Sequence, residues 1–169
     1  MKRTFQPARG LTLVELMIAL AILAVLGTLA AGPMGAFFAR QRVQAAAQHL
    51  VADLSEARHE AARRGQVLRV NFTQGSEWCY AITVDSAARC DNIGHPAVLK
   101  RVGSKDHPGV TITMAQTFEL DGRTGAALQA PAAVQLLSTA GDLLQVRMSR
   151  LGRPSVCSPD GAIKDVAHC

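Results

Sequence analysis

Read for its hydrophobic and polar positions, the chain opens with a stretch, Gly10 to Ala31 (GLTLVELMIALAILAVLGTLAA), that is apolar on nearly every face of a helix. From Leu16 to Ala31 no charge interrupts sixteen residues. Sixteen helical residues cover only ~24 Å at ~1.5 Å each, short of the ~30 Å hydrocarbon core of a bilayer. A transmembrane helix over 11–31 therefore takes in Glu15, an acid that costs roughly 3 kcal/mol at bilayer depth and needs a cation partner there. The alternative is a plain signal anchor with Glu15 at the headgroups. Gly32-Pro33 and Gly35 follow and predict a kink or local melting, because proline removes a backbone donor and glycine weakens the helix.

Helical spacing then resumes. Val43, Ala47, Leu50, Val51, Leu54, Ala57 and Ala61 recur every three or four residues, with Gln44, Gln48, Asp53, Glu56 and Arg63 on the other faces. This predicts an amphipathic helix over 32–65 that packs against a sheet. After Gly65 the period becomes two. Leu68, Val70 and Phe72 share one strand face, and Trp78, Tyr80, Ile82 and Val84 share the next, across a turn at Gln74-Gly75-Ser76. Further strands are predicted at 97–102, 110–114, 117–120, 134–137 and 143–148, separated by His107-Pro108-Gly109, Asp121-Gly122 and Ala140-Gly141-Asp142. A long kinked helix followed by a run of antiparallel strands is an α+β arrangement, with one β-rich head over 66–169. That head, about 105 residues long, is large enough for its own core.

Charge changes the picture at one end only. The formal net charge is +5, with 18 basic and 13 acidic side chains. Lys2, Arg3 and Arg9 stand within residues 1–10 with no acid among them, a segment that stays on the cytoplasmic side of a membrane. Without those three the balance is fifteen basic against thirteen acidic, so the basicity is mostly topogenic and says little about nucleic acid. A secretory signal peptide would place its cleavage site after the apolar run, and nothing of that kind stands there.

Cys79, Cys90, Cys157 and Cys169 allow three pairings if all are bridged. Outside the cytoplasm disulfides persist, and Cys79 with Cys90 and Cys157 with Cys169 are favoured because each closes a short loop. No two cysteines have the close spacing of a zinc site, so no metal is expected. The five histidines read as surface or loop residues. The chain carries no phosphate-cradling glycine loop, nucleophile elbow or histidine–carboxylate metal motif, and we expect neither catalysis nor a cofactor.

The basic leader, Gly10 and the following Leu11-Thr12-Leu13-Val14-Glu15-Leu16 resemble the processing motif of type IV prepilins and type II secretion pseudopilins. The resemblance implies cleavage between Gly10 and Leu11 by a prepilin peptidase and N-methylation of the new first residue. Leu11 stands where that family usually has phenylalanine or methionine. It also implies that Glu15, fifth in the mature chain, meets the N-terminal amine of a neighbouring pilin or pseudopilin. The localisation implied is the bacterial inner membrane, with the head in the periplasm, and the assembled pilus or pseudopilus. Phe118 to Arg123 and Val146 to Arg153 resemble the glycine turns and closing strands of the GspH and FimT branch. For that branch the expected functions are a minor pilin in type IV pilus assembly or a pseudopilin of type II secretion. DNA binding in uptake is the further candidate, through Arg147, Arg150 and Arg153. Gly152-Arg153-Pro154 fits half of the FimT-type motif, and Ser155 stands where its second arginine would be.

Overall fold

The computed structural model describes residues 12–92, 94–129 and 131–169, with the backbone alone at 29–33. It falls into two compact units, the second running Phe38–Cys169. The helix α1, Leu13–Arg64, contributes to both. Its assignment is unbroken through Gly32 and Pro33, so the expected local melting does not occur.

In the first unit the large apolar side chains stand open on every face, from Leu13 at 75% exposure through Met17, Leu20 and Leu23 to Leu26 at 57%. Among the described residues no helix is long and apolar enough to cross a membrane. The expected span over 11–31 extends beyond the described side chains at both ends.

The second unit is built on the other end of α1. Val43, Ala46, Ala47, Leu50, Leu54, Ala57 and Ala61 are buried, the predicted stripe with Ala46 added and Val51 only partly buried at its margin. The strands are β1 (Leu68–Phe72), β2 (Cys79–Thr83), β3 (Val98–Gly103), β4 (Val110–Ala115), β5 (Phe118–Leu120), β6 (Ala132–Ser138), β7 (Leu143–Met148) and β8 (Pro154–Cys157). They form two four-stranded antiparallel sheets, ordered β3-β2-β1-β5 and β4-β6-β7-β8, where a single sheet was expected. β4 and β5 are consecutive but do not pair: β4 joins β6 and β5 joins β1. Alternation in the sequence marks which residues face inward. It carries no information on which strand lies beside which.

One core unites the helix with both sheets, closed by Trp78, Phe118, Ile112, Leu136, Leu144 and Ile163. Trp78 keeps its indole N–H satisfied by donating to the Val110 carbonyl at 2.7 Å. β2 is buried on both faces, because Cys79, Ala81 and Cys90 form a second small cluster under the 84–97 connection. Val84, expected on the Trp78 face, lies beyond the end of β2 and is exposed. Asp53 reverses expectation more sharply. It is buried, accepting hydrogen bonds from the Tyr80 hydroxyl and the Lys100 ammonium, each at 2.8 Å. His107 is also not a plain surface residue: its Nε2 is buried without a partner, and its ring stacks on Trp78 and meets His49 edge-on.

Candidate functional site

Gly10 and Leu11, the expected processing junction, lie outside the described residues. Immediately after them Thr12 caps α1: its Oγ1 accepts from the Glu15 N–H at 3.2 Å, and its carbonyl from the Leu16 N–H at 3.1 Å. Thr12-Leu13-Val14-Glu15 thus has the spacing of a capping box, with Glu15 in the first turn where the helix dipole favours an acid. The sequence reading overlooked this cap. The signal was present in the Thr-x-x-Glu spacing.

The four cysteines form two disulfides, Cys79–Cys90 and Cys157–Cys169, closing loops of 11 and 12 residues in sequence separation. The first clamps the 84–97 connection over β2. The second folds the tail back beside β8, where the Ser158 N–H donates to the Ala167 carbonyl and the Cys169 N–H to the Ser158 carbonyl. Between these anchors the tail inserts Ile163 into the core.

Arg147 sits near the end of β7, Arg150 in the following turn and Arg153 just before β8. All three are exposed, and among the described residues none is in an ion pair. The turn is fixed by the Gly152 N–H donating to the Ser149 carbonyl and the Ser149 N–H donating to the Arg153 carbonyl. Its Gly152 packs against the Gly125 peptide, and Gly125 in turn packs on Arg58 of α1. Arg147 and Arg150 line one cavity, whereas Arg153 does not. Arg147 pairs across the ladder with Ser155 and donates from Nη1 to the Cys169 backbone oxygen at 3.1 Å. β8 itself escaped the sequence reading, because it is short and begins with proline, which suits an edge strand only. Among the described residues no three metal-ligating side chains converge.

A long N-terminal helix, exposed and apolar at its start and packed on antiparallel sheets at its end, is the pilin-like architecture. The chain belongs to the family described as type II transport protein GspH, whose model matches residues 46–152. The prokaryotic N-terminal methylation motif matches residues 6–31, a range that contains Gly10, Leu11 and Glu15. No curated protein sequence matches the chain significantly. Two crystal structures of the type IV minor pilin FimU of Pseudomonas aeruginosa are similar to it at 17% identity. One covers 67% of this chain and 90% of FimU with a TM-score of 0.51, the other 71% and 91% with a TM-score of 0.54. At that identity the likeness is one of fold.

Proposed function

We propose that the protein is a minor pilin that helps to assemble a type IV pilus, acting as a structural subunit and not as a catalyst. The observation that carries this reading is the all-round apolar exposure of α1 from Leu13 to Leu26, with Glu15 in its first turn. A helix apolar on every side must be covered by lipid or by similar helices, and an acid within it calls for a cation. In this reading a prepilin peptidase cuts between Gly10 and Leu11, and the helix over 11–31 holds the subunit in the inner membrane with its head in the periplasm. In the fibre, Glu15 then meets the free amine of a neighbouring pilin. A second reading, a pseudopilin of a type II secretion system, is favoured by the description of the matched family.

The test is to purify the mature protein from the cell envelope, sequence its N-terminus and identify what accompanies it. A chain beginning at Leu11 in the company of pilus subunits supports the first reading. The same chain in the company of secretion-channel components supports the second. A chain that retains Lys2 and Arg3 sinks both.

A further inference from the structure

Between β3 and β4 the chain crosses Trp78 as a short strap, residues 103–109, whose neighbours Val102 and Val110 are both buried. Within it the 3-10 turn Ser104–Asp106 has no buried residue, and Lys105, Asp106 and Pro108 are exposed. Its backbone fastenings are few. The Ser104 N–H donates to the Trp78 carbonyl at 2.8 Å, and the Gly103 N–H to Asp106 Oδ2 at 2.8 Å. The His107 and Val110 N–H groups only close turns, on the Ser104 and His107 carbonyls. The side chain that fastens the strap to the head is therefore the imidazole of His107. Gly103 and Gly109 bound the segment, small residues of the kind that absorb a hinge motion.

That ring is clasped from two sides. It stacks on Trp78 with centroids 6.1 Å apart and planes 14° apart, and it meets His49 of α1 edge-on at 5.2 Å and 80°. Its Nε2 is buried with no hydrogen-bond partner among the described residues. Neutral, the ring leaves one polar atom unpaired there. Protonated, it leaves a charged N–H donor in the same place, at greater cost. The acids near it are already engaged: Asp53 of α1 by the Tyr80 hydroxyl and the Lys100 ammonium, Asp106 of the strap by the Gly103 N–H. Arg42 of α1, whose Nη1 would stand 3.6 Å from a Cβ at Gly109, adds positive charge to the same end, as does Lys105 of the strap. Burial, and then His49, outweigh Asp106 and Asp53 and hold the imidazole below 6.5. The closed strap is accordingly favoured above that value and loses ground as pH falls through the depressed one.

We propose that residues 103–109 form an acid-released latch: protonation of His107 drives its ring out from between Trp78 and His49, and the strap swings away while α1 and both sheets keep their core. Local opening wins over global unfolding because the 3-10 turn buries nothing of its own, whereas the expelled imidazolium gains water for both N–H groups. Opening uncovers the faces of Trp78 and His49 that the ring covers. The latch belongs to the head alone, so it goes beyond the assembly reading and does not depend on it.

The test is hydrogen exchange of the full chain in detergent micelles at about pH 7.5 and about pH 5, corrected for the intrinsic rate. Acrylamide quenching of Trp78, the only tryptophan, is the second reporter. At the lower pH, protection across 103–110 falls at least about fivefold and quenching rises with it, while residues 43–61, β6 and β7 keep their protection. His107→Phe, which retains a ring beside Trp78, abolishes the pH dependence. Two further variants read the sign of the charge. His49→Gln moves the transition to higher pH, and Asp106→Asn, which keeps an acceptor for the Gly103 N–H, moves it to lower pH. A purely structural role for these residues would not produce opposite shifts. Protection of 103–110 that ignores pH, a loss shared equally by 43–61 and β6, or a transition retained in His107→Phe overturns the proposal. Should His107→Phe fail to fold, the other two variants decide it, and shifts in the same direction overturn it.

Discussion

Gly152 is seated directly on the Gly125 peptide: a Cβ at Gly152 would overlap the Gly125 carbonyl oxygen and stand 3.2 Å from its carbonyl carbon. Both glycines have positive φ, +71° and +67°. A Cβ at Gly125 would in turn meet Arg58 Cγ at 2.6 Å. Two turns distant in sequence are thus locked to each other and to α1 by the absence of side chains. Gly152→Ala should cost about 3 kcal/mol or more, combining left-handed strain with a backbone collision. Gly141, with φ +89° and nothing within 4 Å, supplies the control: Gly141→Ala should cost only about 1 kcal/mol. Denaturant unfolding of the two variants checks the contrast, and equal losses would refute the interlock.

The glycine turns also show how far the sequence could be read. Phe118 to Arg123 and Val146 to Arg153 were recognisable as a pair, but nothing in their spacing said that Gly152 would touch Gly125. The helical stripe from Val43 to Ala61 was legible because burial against strands imposes a three-to-four period. Asp53 was misplaced for the complementary reason. A carboxylate on an amphipathic helix reads as solvent-facing unless its partners are known, and Tyr80 and Lys100 lie on strands that only the fold brings near. The division into two sheets and the short edge strand β8 depend on pairing between distant segments, which periodicity does not encode. Arg147, Arg150 and Arg153 read as one cluster within seven residues, yet only the first two share the cavity beside the tail.

The Asp53–Tyr80 hydrogen bond makes a testable link between α1 and β2. Burial first, and then the bond to Asp53, push the Tyr80 phenol well above its ordinary value of 10.0. A folded-state pKa raised in this way contributes stability that is fully present below the unfolded value and is lost as pH climbs past it. Tyr80→Phe should therefore remove part of the alkaline loss of stability above pH 10. At neutral pH it should cost about 2 kcal/mol, because the buried carboxylate loses a donor. Melting temperatures across the alkaline range test both parts, and an unchanged alkaline slope would sink the assignment.

His107 predicts the opposite limb. Burial, and next the neighbouring His49, hold its imidazole below the ordinary 6.5, against the opposing pull of Asp106 and Asp53. Its folded state disfavours the proton, so the contribution to stability is present above about 6.5 and is lost as pH falls through the depressed folded value. His107→Phe keeps a ring beside Trp78 and removes the unpartnered Nε2. It should flatten the acid slope between pH 7 and 5 without loss of stability at pH 7.5. If the slope persists, another group is responsible.

At Glu15 the charge can be tested without loss of the Thr12 cap, which accepts the residue's backbone N–H whatever side chain it carries. Glu15→Gln retains a capping-box residue and removes the charge, whereas Glu15→Ala removes both. If charge pairing with a neighbouring subunit governs assembly, both variants should insert into the membrane at least as readily as the parent and both should fail to enter fibres. Incorporation of Glu15→Gln at the parental level would rule out charge pairing.

Ser155 offers the closing test, because its place across the ladder from Arg147 determines what an arginine there would do. Directly opposed residues on an antiparallel pair have Cβ atoms about 5 Å apart, and like charges so placed are destabilising by several tenths of a kcal/mol. Ser155→Arg should accordingly lower the melting temperature at low salt. The deficit should shrink as added salt shortens the screening length toward ~10 Å at 0.1 M and below. The same two guanidiniums, repelling each other when empty, gain most from an anion that bridges them. Duplex DNA affinity should therefore rise in Ser155→Arg, and its log–log salt dependence should steepen by about 0.9, the increment for one more neutralised phosphate. Electrophoretic retardation across a salt series measures both changes. If the parent does not retard DNA even at low salt and Ser155→Arg gains nothing, Arg147, Arg150 and Arg153 do not serve nucleic acid in this chain.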